Sequence, residues 1–169
     1  MNLSAFWLTK LEAADRQLNQ AIRLFFERGD MLAVHTLTGT TFQLFADLGK
    51  TSGLVSRFRS DELIRPDRMR DWVNALNSTQ NFLKHADRDA DQKHSYVEEG
   101  TILFLYEAVE LAQRVSPTTG GERLAFQLWF VFSYPEMIDP ALFAQLAAAN
   151  TTGIDQTDRD LWAQLLRKT

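Results

Sequence analysis

The sequence predicts an all-α protein, a single-domain helical bundle of about six helices over residues 1–169, and three observations predict it. Apolar residues recur at steps of three and four along most of the chain, which is the period of one helix face. The few glycines and prolines, eight and four, cluster where those runs start or stop. No stretch alternates apolar and polar residues over a strand's length, and no repeat or Gly/Ser/Pro-rich linker divides the chain. A core bundle is expected over about residues 4–115, with C-terminal helices over about 120–169.

Composition narrows the function classes. Hydrophobic residues are 45% and charged residues 24%, the balance of a globular domain. A formal net charge of -4 gives no global basic footprint for nonspecific nucleic-acid binding, although a local basic patch is compatible with it. The absence of cysteine excludes disulfides, thiol nucleophiles, iron–sulfur clusters and thiolate zinc sites. Lys10 and Glu12 interrupt the apolar start of the chain, and no run reaches the roughly 18 residues of a membrane span. A cytoplasmic protein with no membrane partner is therefore expected.

A first helix is expected over residues 4–27, with Leu11, Ala14, Leu18, Ala21, Ile22 and Phe25 on its apolar face and Gly29 ending it. Asp30 is placed as the N-cap of a second helix over 31–48, antiparallel to the first across a short turn. His35 lies beside its apolar stripe, and Thr36, Thr38, Gly39, Thr40 and Thr41 make this helix dependent on tertiary packing. Gly49-Lys50-Thr51 lacks the upstream glycine and preceding strand of a phosphate-binding loop. Pro66 introduces a third helix whose core stripe is Met69, Trp72, Val73, Leu76, Leu83 and Ala86. A fourth runs over 98–115, a fifth, apolar on nearly every side, over 124–132, and a sixth over 141–149 behind Asp139-Pro140. Residues 155–157 introduce a last amphipathic helix through Leu161, Trp162, Leu165 and Leu166.

The unusual chemistry lies between Arg70 and Glu98. Arg70, Asn74, Asn77, Asn81 and His85, spaced four, three, four and four, form a polar stripe that asparagine's mediocre helix propensity does not explain. Arg70 and His85 are about 22 Å apart along a helix, so one small substrate cannot touch both within a subunit. Lower on that helix, Asn81 and His85 are one turn apart, as are Lys84 and Arg88. The candidate ligand-binding cluster is thus His35, Asn81, Lys84, His85 and Arg88, with His85 the candidate general acid or base and the cations suited to a phosphate. No enzyme signature accompanies it.

Two resemblances bear on that cluster. The segment Ala21-Ile22-x-Leu24-Phe25-Phe26-x-x-Gly29-Asp30, then Ala33-x-His35-Thr36-Leu37, together with Asn81-Phe82-x-Lys84-His85-Ala86-Asp87-Arg88-Asp89, resembles a family of uncharacterised bacterial all-helical proteins. More distantly, a helical hairpin followed by a polar helix carrying Arg and His resembles the HEPN superfamily of nucleotide- and RNA-associated bundles. That likeness implies a bundle, often dimeric, that binds a nucleotide, an RNA end or a partner protein at the cluster. The chain departs from the superfamily's nuclease motif, because Arg70-Asp71 has no His four to six residues on.

A second candidate is a divalent-cation loop. Asp87, Asp89, Asp91, Ser95 and Glu98 fall at positions 1, 3, 5, 9 and 12 of a calcium-binding loop between helices, but Gln92 stands where the turn wants glycine and His94 where an apolar residue pairs with a second loop. His35, His85 or His94 with Glu98, Glu99 or Glu107 is a further metal combination. A third reading is a protein-interaction scaffold without a small ligand, a homodimer through 124–132 or an outer helix.

Overall fold

Thr9 and Glu12 fix where the first helix begins. The Thr9 hydroxyl accepts from Glu12 N at 3.1 Å while the Glu12 carboxylate accepts from Thr9 N at 2.8 Å, a reciprocal capping box. The computed structural model describes residues 5–60, 65–85, 87, 90–117, 120–150 and 153–168. Among them are seven α-helices: α1 (Lys10–Phe26), α2 (Met31–Lys50), α3 (Met69–Lys84), α4 (Glu98–Val115), α5 (Gly121–Ser133), α6 (Pro140–Ala149) and α7 (Arg159–Leu166). Single 3-10 turns lie at Arg57–Arg59, Pro66–Arg68 and Pro135–Met137. No strand occurs among the described residues. The all-α bundle expected from periodicity is what the chain forms, with the first helix starting at its capping box rather than near residue 4.

The α1–α2 turn is a Schellman ending. Gly29 N donates to Leu24 O at 2.8 Å and Arg28 N to Phe25 O at 3.2 Å. The left-handed residue is Arg28, at φ 57°, and Gly29 is needed for a different reason: a Cβ there would press on Leu24 at 3.1 Å. Asp30 then caps α2 by accepting from Leu32 N and Ala33 N at 2.8 and 3.1 Å.

Helices α1, α2, α4 and α5 close on one aromatic core. Phe25 meets Phe126 at 5.2 Å and Trp129 at 4.6 Å, edge to face, and Phe25, Phe26 and Phe126 are fully buried. Burying each such ring contributes about 1.5–3 kcal/mol. The apolar 124–132 segment is therefore spent largely on the interior, through Phe126, Trp129 and Phe130, leaving Leu124 exposed. Arg123 is buried with it, pairs with Asp15 on α1 and donates to Ser116 O at 3.0 Å, so its charge is compensated.

Helix α3 is built differently. It packs sparingly on the bundle and buries Thr79 and Gln80. It crosses α2 closely at Gly39, where any Cβ would run into the Gln80 amide. Gln80 Nε2 there donates to His35 O at 2.8 Å. Trp72, Val73 and Leu76 are half-buried and Leu83 is exposed; Ala86 lies outside the described side chains. Away from that crossing α3 leaves space against α2 and α4.

Candidate ligand-binding site

That space is a half-open cavity of about 240 Å³. Trp72, Leu76 and Thr79 of α3 form one wall, His35 of α2 the floor, and Thr101 and Phe104 of α4 the opposite wall. Phe58 closes one end, and Tyr96 and Val97 lead to the exposed first turn of α4, where Gly100 lies at the rim. Among the described residues the lining contains no Asp, Glu, Lys or Arg. Such a cleft, mostly apolar with a few converging polar groups, has the chemistry of a small-molecule site, though it is smaller than the ~300–1,000 Å³ of drug-sized sites.

The walls are braced from behind. Trp72 Nε1 donates to Phe58 O at 2.9 Å, and the two rings meet edge to face at 5.8 Å. Phe58 is held by Glu107, a buried carboxylate that accepts from Ser56 Oγ at 2.7 Å. Burial pushes the Glu107 carboxyl above its usual range, and the Ser56 hydroxyl and the Phe58 and Arg57 amides pull it partly back. On the α3 side Thr79 Oγ1 and His94 Nε2 are 2.8 Å apart, and His94 stacks on Phe82.

The polar groups at the floor form a chain. Tyr96 Oη donates to Met31 O at 2.9 Å and also contacts Thr101 Oγ1 at 2.7 Å. Thr101 Oγ1 in turn lies 3.0 Å from His35 Nδ1. The imidazole is 6% exposed, and its Nε2 has no hydrogen-bond partner among the described residues. Burial, with the nearby His94 adding to it, pulls His35 down to about 4, so the ring is neutral at physiological pH.

No family model, curated protein or solved structure matches this chain.

Of the expected cluster, His35 is in the cavity floor. Asn81 and Lys84 are exposed, and His85 is the half-buried residue that ends the helix. No hydrogen bond or ion pair joins Asn81, Lys84 and His85 among the described residues, and Arg88 lies outside them. Of the expected cation loop, Asp87, Asp91 and Glu98 are exposed and Asp89 lies outside the described residues. Among the described residues no three His, Asp or Glu side chains converge closely enough to hold a metal ion. Glu107, considered with them, is committed to Ser56.

The residues that sequence reasoning passed over are Tyr96, Thr101, Phe58 and Gln80. Gly39 was the available signal, since a glycine in mid-helix marks either weakness or a close crossing, and here it marks the crossing. A second, polar cleft of about 480 Å³ brings Arg28 and Arg159 beside Asp30 and Glu98. Its charges oppose one another, and Arg28 is already paired with Asp160 at 3.0 Å. Arg159 lies flat on Phe25 at 3.9 Å and donates to Phe25 O, which makes it a strut.

Proposed function

We propose that this protein is a binding module for a small, largely apolar organic ligand held between α2, α3 and α4. The observation that carries this reading is the aromatic-walled cavity, uncharged among its described residues, where α3 stands off the core. Thr101 Oγ1 meets His35 Nδ1 at 3.0 Å, but with the Tyr96 hydrogen on Met31 O the threonine gives its own hydrogen to Tyr96 Oη, so the imidazole does not activate it and binding rather than turnover is the reading we adopt. The size suits a one- or two-ring compound.

A thermal-shift screen of small neutral aromatics tests it, because a ligand that binds only the folded state raises its stability. Gly100→Phe is the control: a Cβ at Gly100 meets nothing within 4 Å, so the new ring has room at the rim and should block entry without unfolding α4. Stabilisation by a neutral aromatic, lost in Gly100→Phe, is the expected result. The HEPN-like alternative, a nucleotide or RNA end on the outer flank of α3, is tested in the same screen. It would show as salt-sensitive stabilisation lost in Lys84→Ala. A divalent cation acting at Asp87 and Asp91 would show as stabilisation reversed by chelator.

A homodimer is a separate part of this reading. The α6 sequence contains no charged residue and the helix buries none of its residues, and Leu124, Met137 and Leu142 are exposed, which supports a second copy on that face.

A further inference from the structure

The hydrogen-bond chain in the cavity floor fixes where a proton sits, and with it the chemistry of the ligand. Tyr96 has one hydroxyl hydrogen, and Met31 O can only accept, so that hydrogen is used there. The 2.7 Å contact between Tyr96 Oη and Thr101 Oγ1 then needs the threonine's hydrogen. Thr101 has none left for His35, so the 3.0 Å contact with His35 Nδ1 requires the hydrogen to be on Nδ1. In a neutral imidazole this leaves Nε2 as a bare acceptor, and that atom is both buried and unpartnered.

Resting on the reading of the cavity as a small-molecule site, we propose that its ligand is a neutral aromatic compound carrying one N–H or O–H group, which donates to His35 Nε2. Two independent features select this class. The described lining, which holds no Asp, Glu, Lys or Arg, gives a carboxylate, phosphate or ammonium no counter-charge to offset its loss of water. A buried acceptor without a partner favours a donor and penalises a ligand that offers another acceptor. Nε2 is covered by its neighbours in this conformation, so the lining parts slightly for the bond to form.

The test is a calorimetric comparison of indole, benzofuran and indole-3-carboxylate on the full chain. Indole and benzofuran have nearly the same shape, but benzofuran has an ether oxygen where indole has its N–H. Indole is expected to bind about 10- to 100-fold more tightly than benzofuran, the size of leaving one buried acceptor unpaired. In His35→Phe, which keeps an aromatic ring and removes the acceptor, the preference should vanish while benzofuran affinity holds. Thr101→Val is the second variant, since it frees Nδ1 from its partner and lets the hydrogen move to Nε2; there the preference should shrink. Equal binding of indole and benzofuran to the unaltered protein would overturn the donor assignment while leaving the cavity reading intact. Tighter binding of indole-3-carboxylate than of indole would overturn the neutral-ligand assignment. Failure of all three to bind would remove the cavity reading itself, and this proposal with it.

Discussion

Two sides of the bundle solve different problems with the same kinds of residue. Around Phe25, Phe26 and Phe126, aromatic rings from α1 and α5 meet edge to face with nothing exposed. Around Phe58, Trp72 and Phe104, equally large rings line a gap of about 240 Å³, with Phe58 and Trp72 meeting edge to face on one side of it. The difference lies in what brings the helices together. The first group sits on helices joined by short turns and apolar along whole faces, whereas α3 is anchored by a glycine–glutamine crossing and by capped loops at its flank. Close packing stabilises the first region, and its incompleteness leaves the second an open cavity.

The sharpest way to separate the regions is to damage the packed one. Phe126→Ala is expected to lower unfolding free energy by about 3–5 kcal/mol in denaturant titrations, because a fully buried ring leaves a cavity that the core cannot fill. Next in size is the pH dependence from the binding side. With His35 at about 4 when folded and near 6.5 when unfolded, the unfolded chain takes up the extra proton between those values. Stability from this residue is fully present above pH 6.5 and is lost as pH falls towards 4, by about 3 kcal/mol. Thermal melts of the protein and of His35→Gln should diverge over that window and run parallel above it.

Gly39→Val probes the crossing itself. Overpacking against Gln80 should cost about 1–3 kcal/mol, and adding Gln80→Ala should recover most of it, giving a coupling that denaturant cycles read directly. The smallest effect is expected at the α2 cap, where Asp30→Ala should cost about 1 kcal/mol without altering ligand binding.

The parts of the fold that were legible in the sequence follow this same division. Leu18, Ala21, Ile22 and Phe25 sit inside as their spacing implies, and Asp30 and Asp139 cap the helices they precede. Local signals state such things because one helix's own periodicity and one cap's own hydrogen bonds produce them. The capping box at Thr9 and Glu12 is an equally local signal, and it starts the helix at Lys10, six residues inside the expected start near residue 4. The cavity was not legible in this way. Its floor joins residue 35 to residues 96 and 101, and its far end depends on Ser56 reaching Glu107. Such pairings exist only after α2, α3 and α4 have been placed, and nothing in the spacing of one helix encodes them. The polar stripe on α3 was visible early for the opposite reason: Arg70, Asn74 and Asn81 are exposed, and exposure leaves its mark on a single helix.

The central claim is that the gap under α3 is a ligand site. Its most direct test is an amide NMR titration of the full chain with indole. The account expects saturable shifts concentrated at His35, Thr79, Tyr96, Gly100 and Thr101, with the Trp72 indole N–H among the most affected and the Phe126 region still. Shifts scattered over the surface, or centred on the exposed α6 helix with the cavity unchanged, would contradict it.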